Sequence, residues 1–262
     1  MRPRHDSDKV QLERVPAAPN AIKLLGVRIH RLRLSELLDR TLHIIRQRGR
    51  ATILYANVHC LNIAFDDRAY RDILNAADLV YCDGTGVRLG AWLAGTSLPA
   101  RMTGADWIHP LADVAVQNDL SLYLLGSEAG SASDAARVLQ REHPGLSIVG
   151  AGSGYGLSGD DIHAINVAAP DLLLVGMGSP RQEKWIADHR SELAVPVVWA
   201  VGALFDFVSG RVPRGPRWMT EHGLEWACRL AVEPKKLWRR YLVGNPQFLL
   251  RIWRHHRPHL YD

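Results

Sequence analysis

Short apolar runs rich in strand-forming residues alternate with helical patterns along most of this 262-residue chain. Such alternation is typical of βαβ units, and it predicts an α/β fold with a mostly parallel sheet and helices on both faces. The runs are almost continuously apolar, as expected of strands buried on both faces. The predicted strands are Thr52–Ala56, Leu79–Cys82, Ser121–Leu125, Ser147–Val149, Leu172–Val175 and Val197–Val201. The predicted helices are Leu34–Arg48, Gly86–Ala94, Ala105–Gln117, Ser131–Glu142, Asp160–Ala168 and Pro180–His189.

The cysteines and the apolar runs limit the class of protein. The three cysteines, Cys60, Cys82 and Cys228, are far apart and odd in number, which argues against a disulfide framework or a cysteine zinc site and suits a reducing cytoplasm. No apolar run approaches 18 residues, so no membrane-spanning helix is predicted. Residues 1–20 are charged and contain proline without the apolar stretch of a signal peptide, and we expect a disordered leader there.

Positive charge is concentrated at the C-terminal end of the sequence. Residues 211–262 contain eleven Lys and Arg against four Asp and Glu, a net charge of +7, whereas the whole chain carries +5. Tryptophans are interleaved with these charges, which suits an anionic membrane surface, single-stranded nucleic acid, or a helical subdomain with inward aromatics. Because the α/β pattern breaks near Gly210–Gly215, we predict a catalytic domain over 21–210 and a basic helical appendage over 211–262.

A glycine turn follows the predicted strand Leu172–Val175. After Gly176 and Gly178, Ser179 is a natural N-cap and Pro180 a natural first helical residue. A strand, a glycine turn and a helix N-terminus are typical of phosphate sites in α/β proteins, although an ordinary βα loop reads the same way. The first helical turn is predicted to present three polar side chains to a nucleotide or sugar, Arg181, Gln182 and Glu183.

A second glycine turn follows Asp83 at the tip of another predicted strand. The spacing Gly84-x-Gly86-x-x-x-Gly90, with Asp106 twenty residues beyond Gly86, imitates a dinucleotide-binding fingerprint. However, Asp83 would face the pyrophosphate, and Asp106 follows a loop rather than the next strand. A carboxylate beside two glycines at a strand tip is better suited to general-base catalysis, with a helix cap as the alternative.

Two further polar residues fall near the predicted ligand edge of the sheet. The Asn57 amide suits sugar hydroxyls or a nucleobase edge, or else an Asx turn. Arg101 suits a pyrophosphate clamp, or else a solvated loop charge. The acidic pairs at 66–67 and 160–161 are adjacent and do not form an Asp-x-Asp between apolar strands, so no divalent-metal site is predicted.

A series of ordered segments resembles the bacterial WecG/TagA/CpsF glycosyltransferases over roughly residues 24–245. The resemblance implies a Rossmann-like sheet and an inverting transferase that moves a sugar from a UDP-sugar to a polyprenyl-diphosphate-linked sugar. It implies no metal and no further cofactor, with glucose, N-acetylmannosamine or its uronic acid as the donor sugar. The matching segments are 55–57, 77–80, 83–87, 101–106, 124–126, 176–183, 201–207, 211–216, 223–226 and 229–234.

The same resemblance implies roles for individual residues. Asp83 matches the general base, and the C-terminal appendage would dock on an anionic membrane surface and bring basic residues to the site. Tyr55 is a departure, because several relatives carry threonine there, so the pocket floor is expected to differ. The residues assigned to substrate binding are Tyr55, Asn57, Gly84, Thr85, Arg101, Asp106, Gly126, Gly176, Gly178, Gln182, Arg229, Lys236 and Arg239.

The expected enzyme makes a lipid-linked precursor of a cell-surface polysaccharide at the cytoplasmic face of the inner membrane. Because the lipid tail of the acceptor stays in the bilayer, the enzyme has to work as a peripheral protein on that surface. A nucleotide-binding oxidoreductase that uses Gly84 and Gly86 is the alternative enzyme class, and a nucleic-acid-binding protein is the alternative outside enzymes. No nucleic-acid partner is expected, and a homo-oligomer is left open.

Overall fold

A six-stranded sheet lies at the centre of the computed structural model, and every strand pair in it is parallel. The structure describes residues 20–213, 215, 216, 219 and 225–255, apart from the side chains of residues 225 and 236. The leader predicted over 1–20 therefore lies outside the described residues, except for Asn20.

The strands of the sheet stand in the order β4-β3-β8-β7-β5-β6, and an antiparallel hairpin precedes them in the chain. The hairpin consists of β1 (Ala21–Leu24) and β2 (Val27–His30). The sheet strands are β3 (Ala51–Ala56), β4 (Leu79–Cys82), β5 (Ser121–Gly126), β6 (Ser147–Gly152), β7 (Leu172–Gly176) and β8 (Val197–Ala200).

Helices flank the sheet, which gives the Rossmann-like architecture expected from the sequence. The helices of the sheet domain are α1 (Leu34–Arg46), α2 (Val58–Asp66), α3 (Arg68–Ala76), α4 (Thr85–Leu93), α5 (Gly104–Gln117), α6 (Ser131–Glu142), α7 (Gly159–Ala168), α8 (Arg181–His189) and α9 (Leu204–Val208). The C-terminal segment contains α10 (Glu225–Val232), α11 (Pro234–Trp238), a π-helical turn (Arg239–Val243) and α12 (Gly244–His255).

All six predicted strands and all six predicted helices are confirmed, with ends that shift by up to three residues. The sequence prediction missed the β1–β2 hairpin and the helices α2, α3 and α9. It was wrong that every sheet strand is buried on both faces: β4, β7 and β8 are fully buried, but β6 is partly exposed. β4 and β6 are both edge strands, but strand β2 of the hairpin packs against β4 and covers it, whereas β6 has a sheet neighbour on one side only.

The last helix, α12, packs against α2 and α4 of the sheet domain. Phe248 and Ile252 are buried, and they fill the space beside Gly90 where a larger residue would place its Cβ. Arg251 donates from Nη2 to both carboxylate oxygens of Asp66 at 2.8 Å, and from Nη1 to the Asn62 carbonyl at 2.9 Å. Buried apolar contacts thus hold the C-terminal helix on the sheet domain, together with an ion pair in which one guanidinium nitrogen contacts both carboxylate oxygens.

Candidate active site

A cavity of about 970 Å³ opens where the sheet strands end, and the C-terminal helices form its other wall. The ends of parallel strands all point to this edge, which is where ligands bind in open α/β sheets. From the strand side the cavity is lined by residues that follow β3, β4, β5, β7 and β8. The residues that line it from the C-terminal side include Arg229, Glu233, Leu237, Arg240, Phe248 and Leu249.

Asn57 and Asp83 meet at the ends of the adjacent strands β3 and β4. Asn57 uses its two amide atoms for two purposes: Oδ1 accepts from the Cys60 amide at 3.0 Å and caps α2, while Nδ2 donates to Asp83 Oδ2 at 3.1 Å. Both side chains line the cavity. The cap position of the following helix α4 is taken by Gly84, whose φ of +88° is costly for residues with a Cβ. The carboxylate of Asp83 is therefore oriented toward the cavity by its neighbour on β3.

Two glycines after Asp83, Gly86 and Gly90, are needed because other helices pack closely against them. A Cβ on Gly86 would collide with Val58 of α2, and Gly90 gives room to Phe248 of α12. The resemblance of this spacing to a dinucleotide fingerprint thus has another physical origin. Gly84 and Thr85 do line the cavity, beside Asp83.

Arg101 lies at the cavity wall, and Asp106 lies behind it. The Arg101 side chain lines the cavity with 16% of its surface exposed, and its Nη2 lies 3.9 Å from Asp106 Oδ2. Asp106 is set behind it in the capping box of α5, where Oδ2 accepts from the Thr103 hydroxyl at 2.8 Å and from the Thr103 amide at 3.3 Å. Asp106 is not among the cavity-lining residues. Its carboxylate instead stabilises the Arg101 guanidinium and the first turn of α5.

Gln182 lies in the interior beneath the cavity. It is fully buried, donates from Nε2 to the Tyr55 hydroxyl at 3.0 Å and accepts the Gly202 amide at 3.0 Å. Tyr55 itself lines the cavity, so Gln182 fixes the phenol that forms part of its floor. Arg181 is the member of the predicted polar trio that reaches the cavity.

Glu183 is also fully buried, which the sequence did not lead us to expect. Its Oε1 accepts from the Ser179 hydroxyl at 2.7 Å and from Gln182 Nε2 at 2.8 Å, whereas its Oε2 has no hydrogen-bond partner among the described residues. Burial raises the pKa of Glu183. The N-cap prediction was wrong by one residue, because Pro180 caps α8 and Ser179 binds Glu183 instead.

Two neighbouring groups near the floor are held in their neutral forms. Burial raises the pKa of the Cys60 thiol to about 11. Burial, together with the Arg240 guanidinium, lowers the pKa of His59 to about 4. His59 lines the cavity as a neutral imidazole near neutral pH, and Cys60 is held as a thiol rather than as the thiolate that acts as a nucleophile.

Three predicted glycines lie on two neighbouring strands. Gly176 and Gly178 line the cavity after β7. Gly126, at the end of β5, lies behind them with a φ of +152°, and a Cβ there would overlap the Gly176 carbonyl. Gly126 therefore permits the close approach of the two strand ends and is not among the cavity-lining residues.

The C-terminal helices bring cationic groups to the cavity. Arg229 lines it, with its guanidinium 5.1 Å from the Phe207 ring centroid, and its buried Nε has no hydrogen-bond partner among the described residues. Arg239 is exposed, lies over Trp238 at 5.3 Å and is not among the cavity-lining residues. The Lys236 side chain lies outside the described part of the chain. Arg240 takes the place at the cavity that the sequence assigned to Arg239.

Several cavity residues were missed by the sequence prediction. Arg240 could have been found from spacing, because Arg229, Glu233, Leu237 and Arg240 recur at the interval of one helical face. For Tyr155 the sequence offers a weaker indication of a cavity position, namely its place in a glycine-rich loop. Its ring is 59% exposed at the cavity wall, with the Arg181 guanidinium 4.4 Å from the ring centroid. The other missed cations and polar groups at the cavity are Arg211, His59 and Glu128.

Two features of the described residues concern membranes and metal ions. None of the helices within the described ranges is both long and apolar enough to cross a bilayer. In the same part of the chain, no three His, Cys, Asp or Glu side chains are grouped as ligands for a metal ion.

Comparison with known proteins gives consistent matches over most of the chain. Residues 22–260 match the model of the "Glycosyl transferase WecG/TagA/CpsF family". An N-acetylglucosaminyldiphosphoundecaprenol N-acetyl-beta-D-mannosaminyltransferase from Bacillus subtilis (strain 168) is 31% identical over 80% of this chain and 82% of its own length. The protein of the same name from Staphylococcus aureus (strain NCTC 8325 / PS 47) is 26% identical over 88% of this chain and 91% of its own.

Proposed function

The chain belongs to the WecG/TagA/CpsF glycosyltransferase family, and we propose that it transfers a sugar from a UDP-sugar to a polyprenyl-diphosphate-linked sugar. The observation that carries this proposal is the Asp83 carboxylate, which Asn57 holds at 3.1 Å on the wall of a cavity large enough for both substrates. N-acetylmannosamine is the first donor sugar to test, since the names of the relatives specify it. Glucose and the uronic acid of N-acetylmannosamine are the donor sugars to test next.

Asp83 acts as the general base in this proposal. Its carboxylate takes the proton from the acceptor hydroxyl as that oxygen bonds to the anomeric carbon, and the bond from this carbon to UDP breaks on the opposite face. The configuration is thereby inverted. Asn57 contributes by fixing the carboxylate in the orientation that proton transfer needs, because a general base must lie within hydrogen-bond reach of the proton.

The diphosphate that leaves is stabilised by guanidinium groups. Arg101 approaches from the strand side, while Arg229 and Arg240 approach from the C-terminal helices. Cations fixed in a cavity shielded from water stabilise developing negative charge strongly, and they do so without a metal ion. Tyr155, backed by Arg181, offers a flat aromatic surface at the wall, on which we place the uracil ring.

The membrane is the second partner in the proposal. The acceptor's polyprenyl chain stays in the bilayer, so the enzyme works as a peripheral protein on the cytoplasmic face of the inner membrane. The C-terminal segment suits that surface, because residues 234–261 contain seven Lys and Arg and no Asp or Glu. The product is then a lipid-linked precursor of a cell-surface polysaccharide.

The test is UDP release by the purified full-length protein from a panel of UDP-sugars. The acceptor is a short-chain polyprenyl diphosphate carrying N-acetylglucosamine, and EDTA is present throughout. The same lipid diphosphate without the sugar is the control. We expect release from one donor that depends on the glycosylated acceptor and is unaffected by EDTA. A folded protein that neither binds UDP nor releases it from any donor contradicts the proposal.

A further inference from the structure

Helix α4 of the sheet domain presents an apolar face to solvent. Leu89, Trp92 and Leu93 recur at helical spacing, and 46%, 70% and 43% of their surfaces are exposed. The other side of the same helix is in the core, where Val87 and Ala91 are fully buried. Three large apolar residues on one exposed helix face form a patch of the kind that marks an interaction site.

Helix α12 carries a second exposed apolar strip that adjoins the first. Leu250 and Trp253 are 45% and 57% exposed, and α12 packs directly on α4 through Phe248 and Gly90. Both strips reach the cavity, since Leu89 of α4 and Leu249 of α12 both line it. We call the surface formed by Leu89, Trp92, Leu93, Leu249, Leu250 and Trp253 the two-helix rim.

The charged residues on the two rim helices themselves are all basic, although Asp66 at the end of α2 pairs with Arg251 of α12. Residues 84–96, which include α4, contain Arg88 and no Asp or Glu. Arg239 and Arg254 are exposed, and they belong to the C-terminal stretch 234–261, which also contains no Asp or Glu. An apolar surface that contains tryptophans, on helices that carry exposed cations, is complementary to an anionic lipid surface.

We propose that the two-helix rim inserts into the headgroup layer of an anionic phospholipid bilayer, so that α4 of the sheet domain shares the membrane contact with the C-terminal helices. The inference rests on the proposed function and extends it. Because the rim reaches the cavity, the acceptor's polyprenyl chain passes from the bilayer over α4 and α12, while its diphosphate and sugar enter the cavity. Membrane attachment and acceptor entry then use the same surface.

The test compares two sets of substitutions in the full-length protein. The rim variant carries Trp92→Ser and Leu93→Ser, neither of which lines the cavity. The matched control is Val167→Ser on α7, which removes an apolar side chain that is 71% exposed and distant in the fold from α4. Binding is measured by co-sedimentation with vesicles of phosphatidylcholine mixed with phosphatidylglycerol, and with vesicles of phosphatidylcholine alone.

We expect the rim variant to bind anionic vesicles about tenfold more weakly than the wild type, because burial of two large apolar side chains is lost. Val167→Ser should bind like the wild type, and all three proteins should bind neutral vesicles poorly. Equal binding by the rim variant and the wild type would overturn the proposal. So would a wild-type protein that does not bind anionic vesicles, or a rim variant whose only change is the loss of self-association in sedimentation velocity.

A second readout separates this inference from the proposed function. UDP binding involves neither the membrane nor the acceptor's lipid chain, so the rim variant should bind UDP like the wild type, and UDP release by the wild type with the short-chain acceptor tests the proposed function. If no protein releases UDP but the rim variant still binds vesicles more weakly than Val167→Ser, the proposed function fails and the membrane surface stands. If the wild type releases UDP normally and the rim variant binds vesicles as tightly as the wild type, the proposed function stands and the membrane surface fails.

Discussion

The turns after β4 and β7 look alike in the sequence, since each runs from a buried strand through glycine into a helix, yet the β7 turn sends only part of its polar residues to the cavity, among them Arg181, and buries the others. After β4, Asp83 lines the cavity. After β7, Gln182 and Glu183 are fully buried beneath it. One turn thus presents a reactive group to the ligand, and the other builds the floor on which the ligand rests.

The helices that pack against each turn account for this difference. The start of α4 faces the cavity, while its apolar side packs on Val58 and on Phe248 of α12. The start of α8 faces α3 and the end of β3, so its first turn meets Tyr55 and a hydrophobic interior. A strand–glycine–helix turn therefore does not by itself show which side chains face a ligand. The elements that pack against the first turn of the helix decide that.

Removing the acid at the β4 turn should have the largest effect. We expect Asp83→Asn to lower kcat at least 100-fold, because the general base is lost, with little change in the melting temperature. Single-turnover UDP release measures this effect. Asp160→Asn, at an exposed position on α7, is the matched control and should keep wild-type activity. Near-normal turnover by Asp83→Asn would refute the assignment of the base.

Asn57 allows the two roles at the β3 end to be separated. Asn57→Ser keeps an oxygen that can cap α2 but loses the donor to Asp83, and we expect kcat to fall about tenfold, the value of one hydrogen bond of ~1.4 kcal/mol. Asn57→Ala should show the same loss of kcat and, in addition, a free energy of unfolding lower by ~1 kcal/mol. Urea denaturation and steady-state kinetics measure the two effects. Equal stability of the two variants would show that the cap contributes nothing.

At the β7 turn, Glu183→Gln should change the pH dependence of stability rather than catalysis. The pKa of Glu183 is raised in the folded protein, so folding favours its neutral form, and ionisation costs stability as pH rises above the ordinary value of 4.5. The glutamine variant has no such cost, and its advantage in free energy of unfolding should grow as pH rises between pH 5 and 8. Urea denaturation across that range is the measurement. An advantage that shrinks with rising pH would contradict a raised pKa.

Tyr70→Phe should have the smallest effect and is a control for the Glu183 prediction. The Tyr70 hydroxyl is buried without a hydrogen bond of ordinary geometry among the described residues, although it interacts with the Cys60 thiol and the Glu183 carboxylate, so its removal loses only weak contacts. We expect a free energy of unfolding within ~0.5 kcal/mol of the wild type and unchanged kcat. A loss of ~2 kcal/mol or more in urea denaturation would show that the hydroxyl bonds a buried group, of which the Glu183 carboxylate is the candidate.

The sequence was a good guide wherever the answer depended on short stretches of chain. Six strands and six helices were predicted from apolar periodicity, and the family resemblance is confirmed by the match over residues 22–260. It was a poorer guide where two distant segments meet. Asp106 was expected at the substrate but caps α5 behind Arg101, and Arg239 was expected at the cavity where Arg240 stands.

By itself, the sequence determined the parallel sheet and the positions of Asp83 and Asn57 at strand ends, because a residue that follows a buried strand has to emerge at the sheet edge, while the adjacency of the two strands came from the structure. Only the tertiary structure decided that Asn57 binds Asp83, that Gln182 and Glu183 turn inward, and that α12 covers Gly90. The direction of a side chain on the first turn of a helix depends on how the helix is rotated against its neighbours. That rotation is set by packing between residues far apart in the chain, such as Gly90 and Phe248, which no local pattern records.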